Sequence, residues 1–166
     1  GAWMREHYAL AGTHTFGNSS ISAFVHPDNL GNVDRSVRFT NGIEMNWVPV
    51  EYKRNSGDAV AVELVFGAPT KRLDAYQIFL HLLDSEGKLI AGNDIGPYNN
   101  LGPTVTWSAG EIVHSPHALL LPFDIVAGEY ELHAGMYSIE TGMRLLTENG
   151  KESVRLGLVE IPQKKF

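Results

Sequence analysis

Glu129 and Glu131 stand two apart in GEYELHAGM, and on an extended strand they share one face with their Cβ atoms about 7 Å apart. That pairing invites the acid and nucleophile of a glycosidase. The apolar phase of the segment runs through Tyr130, Leu132, Ala134 and Met136, which places both carboxylates and His133 on the solvent side. Nothing there would keep one carboxyl protonated at neutral pH, so surface roles are expected. His114-Ser115-Pro116-His117 is a histidine pair with short spacing, and imidazole is a common metal ligand. Three residues apart on a regular strand the rings face opposite ways, so His114 and His117 share an ion only if the chain bends at Pro116. Asp84 and Glu86 flank a turn, where short polar side chains belong. Asp94 beside Asn93 is the better calcium candidate, against a turn-capping role. His81 is expected to be a hydrogen-bonded core histidine. No serine sits in a G-x-S-x-G context and no glycine loop cradles phosphate, so no catalytic residue and no cofactor is assigned.

The remaining constellation is aromatic and polar. Asp94, Tyr98, Asn99, Asn100 and Trp107 fall in or beside one long connection, GNDIGPYNNLGPTVTW. An aromatic face with neighbouring amides and a carboxylate suits a sugar, and loops at the end of a rigid scaffold are where binding residues gather. These five are the expected ligand-binding residues. For Trp107 the alternative is a plug at one end of the core.

The elements that must position them read as strands. Glycine and proline recur through Gly57, Gly67, Pro69, Gly87, Gly96, Gly102, Gly110, Pro122, Gly128, Gly142 and Gly150, and short apolar segments lie between. Ile43, Met45 and Trp47 alternate with polar residues; Val60, Val62, Leu64 and Phe66 keep the same period. YQIFLHLL, residues 76–83, is apolar on both faces and predicts an interior strand, with DSEGK turning it into a hairpin. From about Val37 onward eight or nine strands are expected. Tyr130, two residues after Gly128, is placed to form a tyrosine corner, its hydroxyl returning to the preceding connection and its ring filling the core. The predicted class is all-β, an antiparallel β-sandwich, immunoglobulin-like or jelly-roll-like, over residues 37–166. Residues 1–36 read as a mostly irregular extension, with turns around one short strand, ISAFVH. Only residues 1–12 fit a helical template, with Trp3, His7 and Leu10 on one side and Gly12 at the close.

Composition limits the function classes. A chain of 166 residues fits one domain. It has no cysteine, which removes thiolate chemistry and cysteine zinc sites. A net charge of −6 and 13 scattered Lys and Arg give no footprint for a phosphate backbone, so nucleic acid is not an expected partner. The longest apolar stretch, around residues 118–123, falls far short of the roughly 20 residues of a spanning helix, and a soluble chain is expected. The start at Gly1-Ala2, with neither initiator methionine nor signal pattern, suggests a processed or excised piece.

Several motifs carry a family resemblance between about Asn41 and Ile161. They are the HLLD run from His81 with Gly87, Asp94 followed by Pro97, Trp107 with Gly110-Glu111, Leu121-Pro122, Gly128-Glu129-Tyr130, Gly135-Met136-Tyr137, and Glu140-Thr141-Gly142 leading to Arg144-Leu145. Together they resemble the C-terminal extracytoplasmic β-sandwich appended to bacterial polytopic membrane glycosyltransferases of the dolichyl-phosphate-mannose mannosyltransferase type. The resemblance implies a sandwich fold, an extracytoplasmic location and a membrane-bound parent protein or complex, and it carries over no catalytic residue. The expectation is a non-catalytic module for binding or interaction, glycan-related and accessory to a membrane glycosyltransferase system, with glycan or other protein chains as partners. The alternative is an assembly subunit docking through strand edges and its N-terminal segment. A small glycoside hydrolase stands third.

Overall fold

Side-chain alternation from Ile43 onward gives every long strand one apolar face, and two sheets bury those faces against each other. The computed structural model describes residues 8–16, 19–25 and 35–163. Nine strands build the sandwich: β3 (Arg35–Arg38), β4 (Glu44–Trp47), β5 (Val50–Lys53), β6 (Ala59–Gly67), β7 (Tyr76–Leu83), β8 (Leu89–Ile95), β9 (Ile112–Leu120), β10 (Gly128–Ser138) and β11 (Val154–Ile161). One sheet runs β3-β4-β6-β9 and the other β5-β11-β10-β7-β8. Between them lie Phe39, Ile43, Met45, Val62, Leu64, Phe66, Ile78, Leu80, Leu82, Leu132 and Met136, all buried. The sequence of β7, β10 and β11 as neighbours facing β6 and β9 is that of the immunoglobulin-like alternative.

The expected tyrosine corner is present. The Tyr130 hydroxyl donates to the Val126 carbonyl at 2.8 Å, and its ring lies in the core. The DSEGK turn closes β7 on β8: Asp84 accepts the Glu86 and Lys88 N–H groups through Oδ1, and Gly87 takes φ +79°. YQIFLHLL occupies an interior position between β10 and β8.

The body departs from strict antiparallelism at one pair. β4 and β5 form one extended run that changes sheets at Val48-Pro49, so β4 pairs antiparallel with β6 while β5 lies parallel to β11. Proline has no N–H to give a ladder, which suits the crossing point.

The extension differs from expectation. Ala9–Phe16 and Ser19–Val25 form an antiparallel hairpin, β1 and β2, where irregular chain around a single strand was expected. The helical template fails at residues 9–12; Trp3 and His7 lie outside the described residues. Ala9 and Ala11 obey a period of two, not 3.6, and their methyl groups pack on Ala61 and Ala118 of the outer face of β6 and β9. Threonines at 13 and 15 favour the same extended backbone.

Candidate functional site

The connection from β8 to β9 makes one sharp turn and one 3₁₀ turn before β9 begins. In the first, over Pro97–Asn100, Tyr98, Asn99 and Asn100 all take left-handed backbone angles, with φ of 50°, 55° and 68°. Such angles cost a side-chain-bearing residue roughly 1–2 kcal/mol, less for asparagine. Local bonds hold the turn closed. Asn100 Oδ1 accepts the Gly96 N–H at 2.7 Å, Leu101 and Gly102 donate to the Tyr98 and Pro97 carbonyls, and the Tyr98 N–H donates to Ser115 Oγ at 3.1 Å. The Tyr98 ring lies against Gly102, where an added Cβ would meet it at 2.6 Å; glycine is what admits the ring.

A groove of about 600 Å³ opens beside that ring, lined by Glu63, Tyr98, Leu101, Gly102, Thr106, Trp107, Glu111 and His114. Two other hollows, beside Ile125 and beside Trp47 with Arg155, measure about 330 and 360 Å³. His114 Nδ1 and Glu63 Oε1 pair across β9 and β6 at 3.1 Å, and Glu111 accepts the Ser108 N–H at 2.7 Å. The groove thus presents an aromatic ring, two carboxylates, one imidazole and an exposed Leu101, with Glu63 and His114 fixed by the sheet and Glu111 by the turn before β9.

The five residues expected to bind ligand divide. Tyr98 and Trp107 reach the groove. Trp107, however, is 2% exposed: its ring packs tilted against Phe66 at 5.5 Å between centroids and its indole N–H donates to the Gly102 carbonyl, so it closes the core and offers no free face. Asn99 is buried and bonds backbone, its Nδ2 donating to the Tyr8 carbonyl and its Oδ1 accepting the Leu10 N–H, both at 2.9 Å. Asn100 caps the turn. Asp94 lies elsewhere, on the outer face of the five-stranded sheet. Glu63 comes to the groove from β6, and Glu111 and His114 come from the residue just before β9 and from its start. His114 is a site candidate from the sequence, as half of a metal pair, and Glu111 stands there only as a resemblance motif; the pairing of Glu63 with His114, 51 residues apart, leaves no local spacing to read.

That metal pair is split by strand alternation. His114 faces solvent on the groove side. His117 points into the core, 1% exposed, with Nε2 2.9 Å from Ser115 Oγ and Nδ1 meeting no partner among the described residues. Burial pushes its pKa down to about 3, so it is neutral. Among the described residues no three His, Asp or Glu side chains are grouped to hold a metal ion.

The outer face of the five-stranded sheet carries a second polar row. Asp94 takes a hydrogen bond from Tyr137 and pairs with His81 Nε2 at 3.3 Å; burial lowers the His81 pKa although Asp94 opposes it. Burial and Asp94 together raise the Tyr137 pKa. Glu131 bonds His133 at 3.0 Å and Arg155 at 3.3 Å, and the His133 bond foremost holds its carboxyl below the usual range. Glu131 therefore stays ionised. Glu129 is exposed on the same strand. Phe79, beneath the Arg144 guanidinium at 4.6 Å, fills the space over Gly135, where a Cβ would come within 2.3 Å of its ring.

No family model and no curated protein matches the chain. Among solved structures it is similar to a family 123 glycoside hydrolase from Clostridium perfringens, described for glycolipid glycan hydrolysis, at 13% identity and a TM-score of 0.36, over 68% of this chain and 23% of that one. The chain thus spans about a quarter of that enzyme's length. It is also similar to AvmM, which catalyses macrocyclization in alchivemycin A biosynthesis, at 13% identity and a TM-score of 0.38, over 78% and 95% of the two chains. Likenesses this distant bear on neither activity nor ligand.

Proposed function

We propose that the protein is a non-catalytic binding module that takes a glycan in the groove beside Tyr98. The observation that supports this reading most is Tyr98 itself, held at φ 50° over Gly102 so that its ring walls a cavity beside the Glu63–His114 pair. Backbone strain at a non-glycine residue is tolerated where a function draws on it. A sugar would lay its C–H face on the phenol ring and offer hydroxyls to Glu63 and Glu111. The extracytoplasmic, glycosyltransferase-accessory role belongs to this reading and rests on the family resemblance in residues 41–161.

The experiment is a titration of the isotope-labelled chain with a panel of neutral oligosaccharides, manno-oligosaccharides first, beside Tyr98→Ala. Shifts at Glu63, Tyr98 and His114 that vanish in the variant are expected. A wild-type groove silent to every sugar at millimolar concentration would end this reading.

Assembly with another protein is the second reading, and one feature favours it. Leu73, Ile139 and Met143 are 84%, 56% and 71% exposed on connections joined by the Ile139 N–H to the Ala75 carbonyl. Exposed large apolar side chains on adjoining connections are a feature of interaction surfaces. Replacing Met143 with lysine would abolish capture by such a partner and leave sugar titration unchanged.

A further inference from the structure

The edge of β1 that faces the sandwich is bonded by side chains instead of a neighbouring strand. Leu10 has its N–H bound by Asn99 Oδ1 at 2.9 Å and its carbonyl bound by Asn93 Nδ2 at 2.7 Å; the same Asn93 amide also donates to the Ala118 carbonyl at 2.7 Å. With Nδ2 on the Tyr8 carbonyl, the Asn99 amide brackets Ala9 as the backbone of a parallel strand would. Asn99 is the middle residue of the left-handed turn, and Tyr98 precedes it.

We infer that β1 regulates the groove: docked, it holds Asn99, and through Asn99 it holds Tyr98 in the left-handed turn that forms the groove wall. Undocked, the buried Asn99 amide loses both backbone partners, and the turn is left with its local bonds alone to offset its unfavourable angles. The dock is also the weaker part of the molecule. Among the described side chains its apolar contact is made of alanine methyl groups, which bury little area, so local opening of β1 is expected before global unfolding. Strand docking and groove occupancy are then linked reciprocally, each favouring the other by one factor. The linkage to a ligand rests on the glycan reading above; the linkage between strand and turn does not.

Asn93→Ala tests this at a distance from the turn, because it releases the Leu10 carbonyl and leaves residues 97–100 untouched. Amide exchange at Leu10 reports docking, the backbone chemical shifts of Tyr98 report the left-handed angle, and Leu132 and Ala134 amides report that the core is intact. Leu10 exchange is expected to quicken about tenfold or more, with Tyr98 shifts moving off left-handed values and oligosaccharide affinity falling by a similar factor. Asn99→Gly repeats the measurement with a residue that accepts the same φ and has no side-chain amide, and it carries the test alone if Asn93→Ala does not fold. Faster exchange at Leu10 with Tyr98 unmoved would overturn the inference, as would unchanged Leu10 exchange in both variants. A wild-type chain that binds no sugar while Tyr98 still follows β1 would remove the glycan reading and leave the strand–turn linkage standing.

Discussion

At Tyr130 the side chain secures the backbone, whereas at Tyr98 the backbone is secured and the side chain is left beside a groove. Both tyrosines stand at a connection next to a strand of the sandwich. Tyr130 sends its ring into the core and its hydroxyl to Val126, so the residue serves the crossover between sheets. Tyr98 has strained angles, a half-buried hydrogen bond at its N–H and a ring resting on Gly102. An aromatic side chain that is consumed by the fold leaves nothing for a ligand; one whose main chain is consumed can still recognise something. Trp107 belongs with Tyr130 on this test, despite its place in the same connection as Tyr98.

The sharpest way to break the contrast is truncation at both sites. Tyr130→Ala should cost about 3–5 kcal/mol by chemical denaturation, while Tyr98→Ala should cost only about 1–2 kcal/mol and abolish groove shifts. Equal losses at the two would erase the distinction. Next in size is the acid limb. His117 is neutral in the fold with its pKa pushed from 6.5 down to about 3, so between those values the unfolded chain binds the extra proton. Stability should be fullest above pH 6.5 and fall by about 1.4 kcal/mol per pH unit below it until near pH 3. His81 and Glu131, whose pKa values are also lowered, add to the same trend. Urea midpoints between pH 7.5 and 4.5 measure the slope, and His117→Leu should flatten it.

Tyr130→Phe isolates the corner hydrogen bond from the ring and should lose about 0.5–1.5 kcal/mol; no loss would mean that the ring alone fixes the crossover. The smallest effect belongs to the Lys53–Glu160 pair at the β5 edge, exposed at both ends. Lys53→Ala should change stability by less than about 1 kcal/mol, with the difference shrinking in high salt.

What the sequence made legible follows from how locally each feature is encoded. Period-two alternation in residues 60–66 and 130–136 is enough to place strands, and Tyr130 after a glycine is enough to place the corner. The expected strand ISAFVH falls on β2, but its partner β1 escaped because alanine carries little hydropathy contrast, so Ala9 and Ala11 announce a buried face only once Ala61 and Ala118 are seen beneath them. The parallel β5 escaped because VPV contains no turn that signals a change of sheet. Within the groove, Tyr98 and Trp107 were readable as aromatics in a loop, but burial of one and presentation of the other depend on Phe66 and Gly102. Glu63 gave no local sign at all, since its meeting with His114 across β6 and β9 is a product of register.

The crossing at Val48-Pro49 makes a single length of peptide common property of both leaves of the sandwich. A protease cut between Val48 and Pro49 would free β4 from β5 yet leave the two leaves tethered by the four other connections that pass between them, β5–β6, β6–β7, β8–β9 and β9–β10.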